Sequence, residues 1–223
     1  MIQDFIETVL VLVTGLFPII NPPASALIVL SLVPGATSAE RADLARRITV
    51  NSFAILLGSL VIGAYALSFF GISIPVLRVA GGLIIAMAGW NLLQKPDDES
   101  SEESRAAEAH KRAGSLGSKA FYPLTLPLTV GPGSIAVAIA LGTGSPNEGL
   151  SVGHIAGVGA ALVILCASIY ICMRYAGGLE KLLGAVGTQV AMRLFAFVIF
   201  CIGVQLCWTG LSALLATVHL AHA

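Results

Sequence analysis

Apolar residues run along this chain in long unbroken blocks, and the polar residues gather between them. Stretches without Asp, Glu, Lys or Arg extend over 8–39, 48–77, 79–94, 120–147, 149–173 and 194–223. All but 79–94 exceed the ~20 residues an α-helix needs to cross ~30 Å of hydrocarbon. The 79–94 stretch reaches that length when Ile74 to Leu77 join it and Arg78 extends its head to the interface. The pattern predicts six membrane helices, at roughly 5–33, 48–70, 72–94, 119–142, 152–173 and 194–217. The runs are continuous and do not alternate with period two, which argues against a β-barrel.

Composition agrees with this all-α integral membrane reading. Of 223 residues, 57% are hydrophobic and 11% are charged, against a usual ~25% charged in soluble domains. Mean hydropathy is +0.92. Twelve basic and 12 acidic residues cancel, so no basic patch awaits a nucleic acid. Disorder and an ordinary soluble enzyme are excluded on the same grounds. The segment Met1-Ile2-Gln3-Asp4 has no basic side chain, so the first block is expected to be a retained span and not a signal peptide.

Orientation follows from the placement of Lys and Arg. The expected loop 34–47 carries Arg41, Arg46 and Arg47; 95–119 carries Lys95, Arg105, Lys111, Arg112 and Lys119; 174–193 carries Arg174, Lys181 and Arg193. Eleven of the 12 basic residues therefore share one side, and only Arg78 lies opposite. That side is predicted to be cytoplasmic, which puts both termini outside. The segment 96–117 is acidic first and basic later, with no apolar face, and reads as a solvated cytoplasmic linker. It divides the chain into a first three-helix half, 1–95, and a second, 118–223.

The halves resemble one another. Span one contains Phe17-Pro18-Ile19-Ile20-Asn21-Pro22-Pro23. Span four contains Tyr122-Pro123-Leu124-Thr125-Leu126-Pro127, then Gly131-Pro132-Gly133-Ser134. Span three opens with Arg78 and runs through Gly81-Gly82 to Gly89; span six opens with Arg193 and runs to Gly203. Three spans per half is an odd number, so the second half would be inverted, a common transporter plan in which matched interrupted helices mark the substrate site.

Proline supplies the chemistry of those interruptions. It has no N–H, and its ring clashes with the carbonyl four residues back. Pro18, Pro22 and Pro23 deprive the carbonyls of Thr14, Pro18 and Ile19 of helical donors; Pro123, Pro127 and Pro132 do so to Lys119, Pro123 and Leu128. Unsatisfied groups in hydrocarbon cost several kcal/mol each, so broken backbone at this depth belongs beside a polar cavity. The second half-helix of span one is expected to begin near Pro22–Ala24 with Asn21 as cap, and that of span four near Pro132 with Gly131 as cap. Half-helix N-termini offer N–H groups to a carboxylate, and the preceding C-termini offer carbonyls to an ammonium or a cation. No charged side chain is expected at mid-depth, which favours a small neutral zwitterion. Gly131 and Gly133 would admit a ligand to the backbone, and Asn21, Ser25, Thr125, Thr129 and Ser134 would add side-chain hydrogen bonds. Satisfaction of the freed carbonyls by neighbouring Ser and Thr is the bland alternative.

Other features read as structural. Cys166, Cys172, Cys201 and Cys207 have no metal or redox spacing and read as packing residues. Gly153, Gly157 and Ala161 form a helix-packing stripe. His154 reads as interfacial, and Asn91 and Gln205 as interhelical hydrogen bonders. No acid, base, nucleophile or metal set converges within the spans, so no enzyme activity and no cofactor is expected. Coupling to sodium or protons, and assembly into a homo-oligomer, stay open. The alternatives are an exporter of other small solutes or drugs, and a non-transporting accessory or scaffold protein.

The Phe17-Pro18-Ile19-Ile20-Asn21-Pro22 segment, the Tyr122-Pro123-Leu124 to Pro127 segment and the Gly131-Pro132-Gly133 turn resemble those of the MarC family. The likeness covers essentially the whole chain. It implies a bacterial inner-membrane protein of the group that includes transporters of glycine and alanine, with its site at Asn21-Pro22 and at Gly131-Pro132-Gly133. Pro23-Ala24 stands where relatives often have Ile or Leu followed by Gly, a change that would narrow or reshape the pocket.

Overall fold

The structure, a computed structural model, describes residues 1–33, 36–94, 120–142 and 152–221. All secondary structure among the described residues is helical: α1 (Ile2–Ile20), α2 (Pro22–Leu32), α3 (Ser38–Phe69), α4 (Ile74–Leu93), α5 (Ala120–Thr129), α6 (Pro132–Gly142) and α7 (Val152–Ala221). The expected linker 96–117 lies outside the described residues.

Five stretches are long and apolar enough to cross a bilayer: Ile2–Leu30, Ser38–Gly63, Ile74–Leu93, Val152–Gly178 and Val186–Ala216. They fall on expected spans one, two, three, five and six. The expected fourth span, 119–142, is two shorter pieces, α5 and the apolar α6. Val50, Phe53, Leu57 and Val61 are exposed at helical spacing along α3, the pattern of a helix that turns an apolar face to lipid.

Two expected loops prove to be helical. Residues 38–47 belong to α3, because Thr37 and Glu40 form a reciprocal cap: Glu40 N–H donates to Thr37 Oγ1 (3.3 Å) and Thr37 N–H to Glu40 Oε2 (2.7 Å). This capping box starts the helix ten residues before the hydrophobic run does. Residues 174–193 continue α7, broken only at Gly184, whose φ of 65° and ψ of 177° form a conformation essentially reserved for glycine. α3 ends on Gly71 at φ 66°, with Ile72 N–H donating to Leu67 O (2.9 Å) and Gly71 N–H to Ser68 O (3.1 Å). That is a Schellman closure, and it turns the chain straight into α4.

Lipid is as apolar as leucine, so packed membrane helices are held by close backbone approach more than by apolar burial. α4 and the second half of α7 show this. A Cβ on Gly82 would lie 2.7 Å from Gly203 O and 2.6 Å from Cys207 N; one on Gly203 would lie 2.8 Å from Gly82 O and also strike Ala86 N. A Cβ on Gly89 would meet Ala196 O (2.9 Å) and Phe200 N (2.5 Å); one on Gly210 would meet Pro75 O (2.7 Å) and Val79 N (2.8 Å). Adding 121 to each α4 number gives its α7 counterpart: 82 with 203, 86 with 207, 89 with 210, 75 with 196 and 79 with 200. The two helices thus run antiparallel and make the same contacts in both directions. This register pairs Arg78 with Ile199 and Arg193 with Ile72, so the arginines that open spans three and six are not counterparts.

The small-residue stripe of α7 packs on α1. A Cβ on Gly153 would lie 2.6 Å from Met1 O, and one on Gly157 would lie 2.8 Å from Thr8 Cβ. His154 Nδ1 lies 3.1 Å from Thr8 Oγ1 at the same contact. Asn91 and Gln205 are exposed, and among the described residues neither side chain bridges two helices.

Candidate functional site

Span one breaks at Asn21. α1 ends there because Pro22 and Pro23 have no N–H to return to the carbonyls of Pro18 and Ile19. Asn21 takes a left-handed conformation, φ 44° and ψ 66°, the one such non-glycine among the described residues. Asparagine tolerates that region because its short polar side chain bonds locally. Here Asn21 Oδ1 accepts from Ala24 N–H at 3.4 Å, and Asn21 O from Ser25 N–H at 2.9 Å. One residue therefore ends α1 and caps α2, as the sequence predicts.

Span four is interrupted at three places, two inside α5 and one between α5 and α6. Tyr122 and Leu126 each precede a proline, and each is extended (φ −127°, ψ 126° and φ −106°, ψ 125°), where the following ring forces such residues. The helix that contains them, α5, is wide, and at its end Val130 N–H reaches back five residues to Thr125 O at 2.9 Å. The chain leaves α5 at Val130-Gly131, and α6 starts at Pro132, with Ile135 N–H donating to Gly131 O (3.1 Å).

The side-chain hydroxyls chosen from the sequence do something simpler than expected. Ser25 Oγ donates to Ile20 O (2.8 Å), Thr125 Oγ1 to Ala120 O (2.6 Å) and Thr129 Oγ1 to Leu124 O (2.8 Å). Each bond spans five residues and ties the hydroxyl to the backbone of its own broken helix. Their protons are committed to the chain itself, so these three hydroxyls can offer a ligand only lone pairs. The space of Gly133's missing Cβ is occupied by the Ile85 side chain of α4, so this glycine is also a close-packing position between α6 and α4.

The two half-helix N-termini are unequal. At α2, Pro22 and Pro23 have no N–H, and those of Ala24 and Ser25 are held by Asn21. At α6, only Pro132 lacks an N–H; Gly133 and Ser134 follow, and the cap residue Gly131 has no side chain to satisfy them. Of the two ends, α6 therefore keeps more backbone N–H groups without a capping side chain.

The structure brings the two breaks together. α1 packs on α6 and α2 on α5, the crossed pairing of two antiparallel broken helices whose breaks lie at one level. Asn21, Ser25, Thr125, Thr129 and Ser134 are all under 8% exposed, and Pro22 is fully buried. Gly131 is half-buried, and Pro132 is exposed.

The sequence reading passes over two polar residues of α3, of which Asn51 joins them and Ser52 is buried on the same helix. Asn51 Nδ2 donates to Thr125 Oγ1 at 3.4 Å. Ser52, with 0% exposure, has no hydrogen-bond partner for its hydroxyl among the described residues. Adjacent Asn and Ser inside a charge-free run were the available signal.

Comparison with known proteins agrees with this architecture. A family profile described as MarC family integral membrane protein matches residues 6–215. Inner membrane protein MarC of Salmonella typhimurium (strain LT2) is 32% identical over 210 residues, covering 92% of this chain and 94% of the relative. Its namesake in Citrobacter koseri is also 32% identical, with the same coverage. That of Escherichia coli O1:K1 / APEC is 31% identical over 209 residues, covering 92% and 94%. No solved structure matches the chain. The relatives are inner membrane proteins by name, and with its membrane-length helices the chain belongs to the MarC family.

Proposed function

We propose that this protein is a secondary transporter of small neutral amino acids, glycine or alanine, across the bacterial inner membrane. The carrying observation is the pair of facing breaks with opposite and unequal chemistry. α6 offers the N–H groups of Gly133 and Ser134, and α1 ends in carbonyls that Pro22 and Pro23 cannot satisfy. A zwitterion complements both, its carboxylate at α6 and its ammonium at the end of α1. The carbonyl end would equally hold a coupling sodium ion, and proton coupling is the alternative.

In this reading α5 and α6 together form the fourth of six spans, and the halves 1–95 and 118–223 are inverted repeats. The reciprocal glycine contacts between α4 and α7 support the repeat, since a two-fold axis would exchange them with a constant register. Rocking of one half against the other would open the site to each side in turn. Both termini would then be periplasmic and the 96–117 linker cytoplasmic.

Counterflow tests the reading without knowledge of the coupling ion. Purified protein in liposomes loaded with unlabelled alanine should accumulate labelled glycine above empty liposomes. Absence of exchange from folded protein, with glycine, alanine or serine, would remove small neutral amino acids from consideration. It would leave export of other solutes and an accessory role.

A further inference from the structure

Between α3 and the start of α5 lies a groove of about 430 Å³, lined by Arg46, Arg47, Val50, Asn51 and Phe121. We propose that this groove is the cytoplasmic vestibule of the transport site, in which Arg46 and Arg47 receive the substrate carboxylate and Asn51 passes it inward. The inference rests on the transport reading.

Four of the five lining residues fall on one face of α3, at 46, 47, 50 and 51. The mouth is positive. Asp43 pairs with Arg47 at 2.7 Å and with Arg46 at 3.5 Å, so one carboxylate answers two guanidiniums. One unit of charge is left over, on side chains 73% and 48% exposed. Guanidinium is the group best shaped for a carboxylate, which it can grip with two parallel N–H bonds. The volume is ample for a hydrated amino acid, since it would hold roughly a dozen waters.

The inner end is polar and connected. Asn51 Nδ2 touches Thr125 Oγ1, which is fully buried and donates in turn to Ala120 O. At 3.4 Å the Asn51 bond is at the long limit for its type, so an incoming carboxylate can take its place. The groove thus leads from excess positive charge at the surface to the buried hydroxyl of Thr125, whose carbonyl accepts from Val130 N–H at the break.

The test is a cysteine at Asn51, with the wild-type protein and its four native cysteines as background. A membrane-impermeant maleimide should label Asn51→Cys in inside-out vesicles, and glycine or alanine should slow the labelling. The labelled protein should lose counterflow by roughly tenfold or more. A second arm keeps the groove's shape. Arg46→Gln combined with Arg47→Gln should raise the half-saturating glycine concentration about tenfold, the loss of one charge-assisted bond. The maximal rate should stay unchanged, and Lys at both positions should restore part of the affinity. Labelling only from outside, labelling that leaves counterflow intact, or an unchanged half-saturation overturns the vestibule while wild-type exchange still stands. If the wild-type protein exchanges no small neutral amino acid, the transport reading falls and the vestibule falls with it.

Discussion

Gly82 of α4 and Gly203 of α7 each occupy the space where the other's Cβ would stand, 2.7–2.8 Å from the facing carbonyl. Neither can yield, because the obstructing atoms are backbone. Gly82→Val and Gly203→Val should each separate the helices, with a cost at or above the 1–3 kcal/mol typical of overpacking. Thermal unfolding in detergent checks this, with Gly58→Ala as control. Nothing lies within 4 Å of a Cβ at Gly58, so there Ala should gain up to about 1 kcal/mol from helix propensity.

Ile85 and Gly133 form a second packing pair that can be tested by compensation. Gly133→Ala should be destabilising because the new methyl enters the Ile85 side chain. Ile85→Ala should relieve it, so that the double variant is more stable than the sum of the single changes implies. Strict additivity would show that the two do not touch. Counterflow by the rescued double variant would separate packing from function at Gly133.

Asn21 carries both a backbone conformation and a cap. Asn21→Gly keeps the left-handed conformation and loses only a few tenths of a kcal/mol. It also releases the Ala24 N–H that Asn21 now holds. Asn21→Leu loses the cap, about 1 kcal/mol, and adds strain at positive φ. The expected order of thermal stability is wild type, Gly, Leu. If Leu proved as stable as Gly, Asn21 would not be left-handed in the protein.

Ser52 is buried and its hydroxyl is unpartnered. An orphaned donor disfavours the fold, so Ser52→Ala should leave stability unchanged or raise it by about 1 kcal/mol. A large loss of stability would mean that the hydroxyl is bonded. A loss of counterflow from a protein that is no less stable would place Ser52 on the substrate path.

Gly184 interrupts α7 at φ 65° and ψ 177°. Residues other than glycine are essentially barred from that region, so Gly184→Ala should cost about 1–3 kcal/mol. Amide hydrogen exchange should show the protection lost around 180–190 first. Unchanged protection would mean that the helix runs straight through.

Much of this molecule is local and therefore written in the chain. Blocks of apolar residues determine the membrane helices, because length against bilayer thickness is a one-dimensional property. The breaks are equally legible. Proline removes a donor and restricts the residue before it wherever it stands, which accounts for Tyr122, Leu126 and the end of α1. Asn21 as cap follows from the same covalent facts. Charge clustering was less reliable as a boundary. Arg41 to Arg47 looked like a loop, but a capping box and helical propensity carry α3 through them.

Only the tertiary structure decided what meets what. The glycines of α4 and α7 were visible in the sequence, but their register of 121 depends on which helix faces touch. That the Ile85 side chain fills the space beside Gly133 is likewise absent from the sequence. The hydroxyls of Ser25, Thr125 and Thr129 looked free until the five-residue bonds took up their protons. Asn51 and Ser52 passed unnoticed, because a polar residue in an apolar helix acquires meaning only from its partner across the interface. Covalent constraints act within a few residues and survive in any fold. Contacts between distant segments depend on how every helix has packed, which no local pattern records.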